Sequence, residues 1–182
     1  MKNWIILFVR TGSEKKLLQM LNECLNSGEY LPFLPVKESS RRSKGVIYKE
    51  FKLLFPGYVF IQTEIEAALI AENLKSALTN IAERKDIFSI LYYGNNKKDV
   101  VMREKERLHW ERLLDSNFCV KGSAGIIEGD MIRIISGALV GMESRIKRIN
   151  RHKREAVVEM EIMGAVREVR LMLEIIEKTE RK

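Results

Sequence analysis

The chain has 182 residues, of which 46% are hydrophobic and 31% are charged, a composition typical of a globular protein with one or two domains. No apolar run approaches the roughly 20 residues of a membrane-spanning helix, and the apolar residues 4–9 are too few for a signal peptide, so we expect a cytoplasmic protein. The two cysteines do not suffice for a disulfide framework or a zinc site, whereas the net charge of +7 favours a polyanionic partner.

The first 116 residues predict strands that alternate with helices. Asn3–Val9 is continuously apolar and partly β-branched, which is typical of a buried strand. Thr11–Glu14, with the sequence TGSE, has the spacing of a capping box, so we expect a helix to begin there. Pro32 and Pro35 then exclude helix from the next stretch.

A long hairpin and two further helices are predicted in the rest of this part. Ser39–Gly45 (SSRRSKG) has the composition of the tip of a long hairpin or of a mobile loop. Residues 48–61 are then predicted to form strands. Helices are expected over residues 65–78 and 102–114. Strands and hairpins mixed with helices indicate an α+β fold.

The composition changes near residue 118, where small residues become frequent. Residues 117–126 include Gly122 and Gly125 and predict a linker, which places one domain at residues 1–116 and a second at residues 127–182. The second domain contains short runs of alternating polarity, typical of about five strands that close into a small barrel. Ile146 and Ile149 lie three residues apart, so their strand must bulge if both are buried.

One stretch of the second domain concentrates positive charge. Residues 145–154 contain six basic side chains, one histidine and no acid. Because an unpaired buried charge is costly, most of these side chains must project from a hairpin tip into solvent or towards phosphates. We identify them as candidate RNA-binding residues: Arg145, Lys147, Arg148, Arg151, His152, Lys153 and Arg154. Lysine neutralises phosphates, and arginine adds bidentate contacts to phosphate or guanine.

This hypothesis has a structural condition and an alternative. The cations should share one side of the hairpin and should not be neutralised by neighbouring glutamates. In the alternative, the stretch is an ordinary solvated face. A second basic segment, Arg41–Lys44, is a weaker candidate for contacts with upstream DNA or nascent RNA, and a solvated loop is the favoured interpretation of it.

The sequence does not indicate an enzyme. The chain has two histidines, His109 and His152, and no nucleophile motif, metal-ligand spacing or phosphate-binding glycine loop accompanies them. We therefore predict no catalytic residues, no metal and no cofactor.

Two segments together resemble a known family. Gly129–Ile149 resembles a KOW motif, with Gly-Asp before a strand and glycines at 137 and 141. Lys52–Ile61, with the sequence KLLFPGYVFI, and the strand containing Trp4 resemble the amino-terminal domain of NusG-type transcription elongation factors. The order of the two segments agrees, so the resemblance covers nearly the whole chain.

The resemblance implies an NGN-type α/β sandwich followed by a small SH3-like KOW β-barrel. It also implies that the first domain binds RNA polymerase at the clamp region of the largest subunit. The positions that match the polymerase-facing region of the family are Trp4, Phe55, Pro56, Gly57 and Tyr58. Such aromatic side chains at a partly exposed edge can anchor a partner. In the alternative, Trp4 and Phe55 are core residues and Gly57 only serves a turn.

Departures from the family pattern indicate a specialised member. Ser144 replaces a usual glycine, and Met163 stands where the family often has an aromatic, which puts ribosomal protein S10 and the termination factor Rho in doubt as partners. The basic stretch resembles the LoaP group of processive antiterminators, which implies recognition of an RNA hairpin in the leader transcript.

A general elongation and coupling factor and a ribosome-associated KOW protein remain alternatives. We expect a monomer, and the sequence leaves open the RNA target, the regulated operon and the interdomain arrangement.

Overall fold

A computed structural model of the chain describes residues 2–78 and 88–179. It is a mixed α/β structure composed mostly of strands. The elements in the described residues are β1 (Asn3–Val9), α1 (Glu14–Cys24), β2 (Tyr30–Phe33), β3 (Val36–Ser43), β4 (Val46–Leu53), β5 (Tyr58–Thr63), α2 (Ala67–Ala77), β6 (Phe88–Ile90), α3 (Glu104–Leu113), β7 (Cys119–Val120), β8 (Ser123–Glu128), β9 (Met131–Ser136), a 3₁₀ helix (Glu143–Arg145), β10 (Ile146–Asn150), β11 (Glu155–Ile162) and β12 (Ala165–Thr179).

The chain divides into two compact units that do not follow its order. Unit 1 consists of Met1–Pro35 and Phe55–Leu108, and unit 2 consists of Val36–Leu54 and His109–Lys182. The hairpin of β3 and β4 therefore belongs with the carboxy-terminal part of the chain.

Unit 1 is built on a four-stranded antiparallel sheet with the order β2-β5-β1-β6. Because successive residues of a strand point to opposite faces, β1 presents two different surfaces. Its odd-numbered residues Ile5, Leu7 and Val9 pack in one core with Leu17 of α1 and Ile70 of α2. The predicted buried strand and the predicted helix over residues 65–78 are confirmed by β1 and α2.

The start of α1 lies where the capping-box spacing predicted it, but the cap is different. The helix begins at Glu14, and its N-cap residue Ser13 makes no side-chain cap hydrogen bond. The Glu14 carboxylate is buried and accepts hydrogen bonds from the backbone N–H groups of Gly12 and Gly57. The sequence could not indicate this arrangement because Gly57 lies far along the chain.

The hairpin of unit 2 confirms the predicted tip. β3 and β4 pair antiparallel up to Ser43 and Val46. The two residues between them, Lys44 and Gly45, have φ of 49° and 82°, which is the pattern of a type I′ turn. β7 adds to this hairpin as a parallel partner of β3.

A five-stranded sheet with the order β10-β11-β12-β8-β9 forms the rest of unit 2. β12 is its longest strand and pairs antiparallel with β11 and parallel with β8. The side chains Val158, Met160, Val169 and Leu171 are buried, as the alternating pattern predicted. The register of β10 shifts between Ile146 and Arg148, which confirms the predicted bulge.

The segment predicted to be a linker, residues 117–126, contains β7 and the start of β8. Its small residues serve close packing: a Cβ at Gly137 would lie 2.3 Å from the carbonyl oxygen of Gly122. Gly122 also donates its backbone N–H to the Glu38 carboxylate at 2.8 Å. The predicted domain limits at 116 and 127 thus do not coincide with the limits of the two units, because composition does not reveal the pairing of β3 with β7.

In the part of the chain that the structure describes, every helix is too short or too polar to cross a lipid bilayer. The same residues include no group of three or more His, Cys, Asp or Glu side chains that could hold a metal ion.

Candidate functional site

The even-numbered side of β1 begins with a buried aromatic cluster. Trp4 is 1% exposed, and its ring lies edge-on to Phe33 at 5.4 Å and to Phe60 at 6.2 Å. The expectation that Trp4 occupies a partly exposed edge is wrong, because the surrounding residues bury its side chain. Its indole N–H has no hydrogen-bond partner in the described residues, so Trp4 acts as packing beneath the surface.

The turn between β4 and β5 places the other predicted residues near the surface. Pro56 is exposed, Phe55 and Tyr58 are half-buried, and Gly57 is buried. The Phe55 carbonyl accepts the Tyr58 N–H at 3.2 Å. Gly57 adopts a φ of 88°, and its carbonyl oxygen accepts a hydrogen bond from the Val9 N–H at 2.8 Å. A side chain at this position would therefore be strained, which explains the glycine.

Phe8 completes this surface, and the sequence did not single it out. Its side chain is 46% exposed, and its ring lies 5.5 Å from Tyr58 in an edge-to-face arrangement. Phe55 in turn lies 6.1 Å from Tyr58 and 6.2 Å from Phe60. We call Phe8, Phe55, Pro56 and Tyr58 the aromatic surface. Its rings rest on the buried cluster, so they are held in place before any partner arrives.

Glu14 ties this surface to the start of α1. One carboxylate oxygen accepts the Gly57 N–H at 2.7 Å, and the other accepts the Gly12 N–H at 2.8 Å. Burial raises the pKa of Glu14, while hydrogen bonds from the backbone of Glu14, Gly57 and Gly12 lower it, and the balance leaves this pKa below its ordinary value. The ionised form of the Glu14 side chain is thus the form that accepts these hydrogen bonds and stabilises the turn.

The turn between β10 and β11 contains three consecutive exposed residues of the basic stretch. The last strand pair joins Asn150 to Glu155, and we call the four residues between them, Arg151–Arg154, the basic turn. The Asn150 side-chain oxygen accepts the Lys153 N–H at 2.9 Å, and the Arg151 carbonyl accepts the Arg154 N–H at 3.2 Å. Arg151, His152 and Lys153 are exposed, and their backbone is held by these hydrogen bonds.

Three of the other candidate RNA-binding cations contact glutamates, so the condition set by the sequence hypothesis holds only in part. The pairs are Lys147 with Glu159 at 3.0 Å, Arg148 with Glu168 at 3.2 Å and Arg154 with Glu174 at 3.3 Å. Glu159 comes from β11, which lies beside β10, and Glu168 and Glu174 come from β12, the next strand of the sheet. Exposed ion pairs of this kind contribute about 0.2–1 kcal/mol, so they reduce the local positive charge without fixing the side chains firmly.

Arg145 lies outside the basic turn. It belongs to the 3₁₀ helix, and its guanidinium contacts the His109 ring, with 2.9 Å between Nη2 and Nε2. Because arginine can only donate, a hydrogen bond here requires an unprotonated ring nitrogen on His109. We therefore assign Arg145 to packing against α3 and leave Arg151, His152 and Lys153 as the centre of the basic surface.

The second basic segment lies at the end of the β3–β4 hairpin. Arg41 and Lys44 are exposed there, and the side chains of Arg42 and Ser43 fall outside the described residues. A nucleic-acid contact of this segment therefore stays a prediction.

Comparison with known proteins identifies similarity along the whole chain. Residues 2–109 match the family described as transcription termination factor nusG. Two proteins from different strains of Helicobacter pylori, each named transcription termination/antitermination protein NusG, are 19% identical to the chain over 186 residues. Each alignment covers 98% of this chain and 99% of the relative. The two alignments therefore span both the aromatic surface and the basic turn, whereas the family match spans the aromatic surface.

Proposed function

The chain belongs to the NusG family of transcription termination and antitermination factors, and from this membership we propose that it is a processive antiterminator that binds RNA polymerase and a folded RNA. Proteins of this family are transcription factors and not enzymes, so its activity is expected to consist of binding. In this proposal residues 1–116 form the NGN domain and residues 127–182 form an SH3-like KOW barrel of a monomeric factor.

RNA polymerase is proposed to bind the aromatic surface through the clamp region of its largest subunit. Phe8, Phe55 and Tyr58 offer aromatic area that is already ordered by neighbouring rings. Binding then requires little loss of side-chain freedom, which favours affinity. Trp4 and Gly57 support this surface, one by packing and the other by the backbone conformation of the turn.

The exposed basic turn is the observation that carries the RNA part of the proposal. Arg151, His152 and Lys153 project from an ordered hairpin whose neighbouring cations are paired with glutamates. Cations on such a turn can enter an RNA groove or loop, release counterions and contact unstacked bases. We propose that they recognise a hairpin in the leader transcript, as in the LoaP group, and so restrict the factor to chosen operons. Upstream DNA remains a proposed contact of Arg41 and Lys44.

A general coupling factor that binds ribosomal protein S10 through its KOW domain is the main alternative. That role would use the turn between β11 and β12, where Met163 stands. Met163 is 9% exposed and therefore offers little area to a partner, which weighs against this alternative.

Binding of the full-length chain to an RNA hairpin tests the proposal. Fluorescence anisotropy should detect affinity for the leader hairpin of a candidate operon, and this affinity should fall steeply with added salt. A hairpin with scrambled loop and stem sequences should bind more weakly. Equal affinity for both hairpins, together with tight binding of S10, would favour the coupling factor instead.

A further inference from the structure

Two cavities meet at the basic turn. The larger has a volume of about 340 Å³ and lies between the β3–β4 hairpin, which contributes Ser39, Ile47 and Lys52, and the turn residues His152 and Lys153. The smaller, of about 210 Å³, lies over β10, β11 and β12. Lys153 and Glu155 line both cavities, which are therefore adjacent, and we refer to the two together as the groove. All of the residues involved belong to unit 2.

Cations outnumber acids among the residues that line this groove. Three of these cations also contact glutamates outside the lining: Lys52 with Glu50 at 2.6 Å, Arg148 with Glu168 at 3.2 Å and Arg154 with Glu174 at 3.3 Å. Lys52, Lys153 and Arg154 line the larger cavity, and Arg148 and Arg170 line the smaller. Glu155 is the one acid among these lining residues. A concave site with convergent cations suits a phosphate group, and a single carboxylate within it adds an acceptor for N–H groups of a ligand.

A hydrogen bond of Lys37 connects the hairpin wall of the groove to the five-stranded sheet. Its ammonium group donates to the Arg170 carbonyl at 2.6 Å, which joins strand β3 to strand β12. Burial lowers the pKa of Lys37, and the nearby Glu155 carboxylate opposes this effect. The hairpin wall is therefore attached to the sheet by a specific contact.

We propose that this groove binds one unstacked nucleotide of an RNA loop, with its phosphate between Lys52 and Lys153 and its base against Ile47 and His152. This inference rests on the proposed RNA-binding function and adds the β3–β4 hairpin as a second wall of the site. The volume of the larger cavity, about 340 Å³, is near the lower end of the range of roughly 300–1,000 Å³ for small-ligand sites, which suits a single nucleotide.

Glu155 gives the proposed site a preference among bases. An ionised carboxylate has two acceptor oxygens, and guanine presents two adjacent N–H donors on its pairing edge. Recognition of unstacked bases through that edge is the usual route to sequence-specific RNA binding. We therefore assign guanine as the preferred base.

The test uses the full-length chain with two synthetic RNAs, a hairpin with guanosine in its loop and a blunt duplex of the same stem. Lys52→Gln should weaken hairpin binding at least about fivefold, as expected when contacts to one ordered nucleotide are lost, and should change duplex binding less than about twofold. Lys52→Glu should weaken it further. Lys16→Glu, on the exposed side of α1, is the matched control. The thermal melting of each variant establishes that it is folded.

A second pair of measurements addresses the base. Replacement of the loop guanosine by inosine removes one N–H donor and should weaken binding to the wild-type chain several-fold. The Glu155→Gln variant should bind the guanosine RNA and the inosine RNA with similar affinity. If Lys52→Gln has no effect while Arg151→Glu with Lys153→Glu abolishes binding, the groove inference is wrong and the proposed function stands. If neither change affects binding, RNA recognition by this surface is itself refuted.

Discussion

The Glu14 carboxylate accepts the Gly57 backbone N–H at 2.7 Å, although the two residues are 43 positions apart in the chain. This hydrogen bond joins the start of α1 to the turn that carries the aromatic surface. Since the same carboxylate also accepts the Gly12 N–H, a single buried acid fixes two segments of backbone. We regard Glu14 as a positioning residue for the proposed polymerase contact.

Glu14→Gln should destabilise the chain and weaken polymerase binding together. Glutamine offers one acceptor oxygen where glutamate offers two, and its amide N–H₂ would face a backbone N–H. Hydrogen bonds to charged groups contribute about 1.5–3 kcal/mol each, so we expect a loss of about 1–3 kcal/mol in the free energy of unfolding. Denaturant titration measures it.

Glu23→Gln is the matched control for this change. Glu23 lies on the same helix, and its carboxylate is exposed and contacts only Gln19 among the described residues. We expect a change below about 0.5 kcal/mol there. Equal effects of the two substitutions would show that Glu14 has no special role.

Acidification should destabilise the chain from about pH 4.5 downwards. The pKa of Glu14 and that of Glu38 both lie below the ordinary glutamate value of 4.5. For Glu38, the hydrogen bond from the Gly122 N–H is the largest cause of the lowered pKa. A carboxylate with a lowered pKa in the folded state stabilises the fold above its unfolded pKa, and this contribution disappears as the pH falls through the folded pKa.

Thermal melting between pH 3 and pH 7 measures this effect. We expect a nearly constant melting temperature above about pH 5, a decline below it, and a shallower decline for Glu14→Gln and for Glu38→Gln. An unchanged slope in both variants would mean that these carboxylates are not responsible for the acid sensitivity.

Phe8→Ala should weaken polymerase binding while leaving the fold intact. The Phe8 ring is 46% exposed and contacts Tyr58, so its removal leaves no cavity in the core. Central aromatic contacts of an interface often contribute more than 1 kcal/mol, which corresponds to a loss of at least about fivefold in affinity. Leu69→Ala, which removes a similarly exposed apolar side chain from α2, should have no effect. Equal losses in both variants would point to a different docking surface.

Lys153 and Lys147 should differ in their importance for RNA binding. Lys153 is exposed on the basic turn, whereas Lys147 contacts Glu159 at 3.0 Å. Lys153→Gln should therefore reduce the slope of log affinity against log salt concentration by about one unit, and Lys147→Gln should reduce it by less. Anisotropy titrations at four salt concentrations measure both slopes. A larger effect of Lys147→Gln would contradict the assignment of the basic turn as the centre of the site.

Patterns of polarity predicted the elements of this chain well where the relevant contacts are local. The strand at Asn3–Val9, the hairpin tip at Lys44 and the bulge after Ile146 all follow from neighbouring residues. What the sequence could not indicate were contacts between distant segments. The Glu14–Gly57 hydrogen bond is one example, and the pairing of β3 with β7 is another.

In the candidate site, too, the sequence predicted the local features but not the contacts between distant segments. The sequence located the basic stretch, and its exposure at Arg151–Lys153 follows from the hairpin. The pairing of Lys147, Arg148 and Arg154 with glutamates depends on the register of the sheet, which no single-sequence pattern specifies. Phe8 was missed because its even position in a continuously apolar strand looks no different from that of the buried Ile6.

Reconstituted transcription tests the central claim most directly. A template with the leader hairpin upstream of a terminator should show increased read-through when the wild-type chain is added, and a template with a scrambled leader should not. Arg151→Glu combined with Lys153→Glu should lose this stimulation while still binding polymerase. Equal stimulation of both templates, or full stimulation by the double variant, would contradict the account.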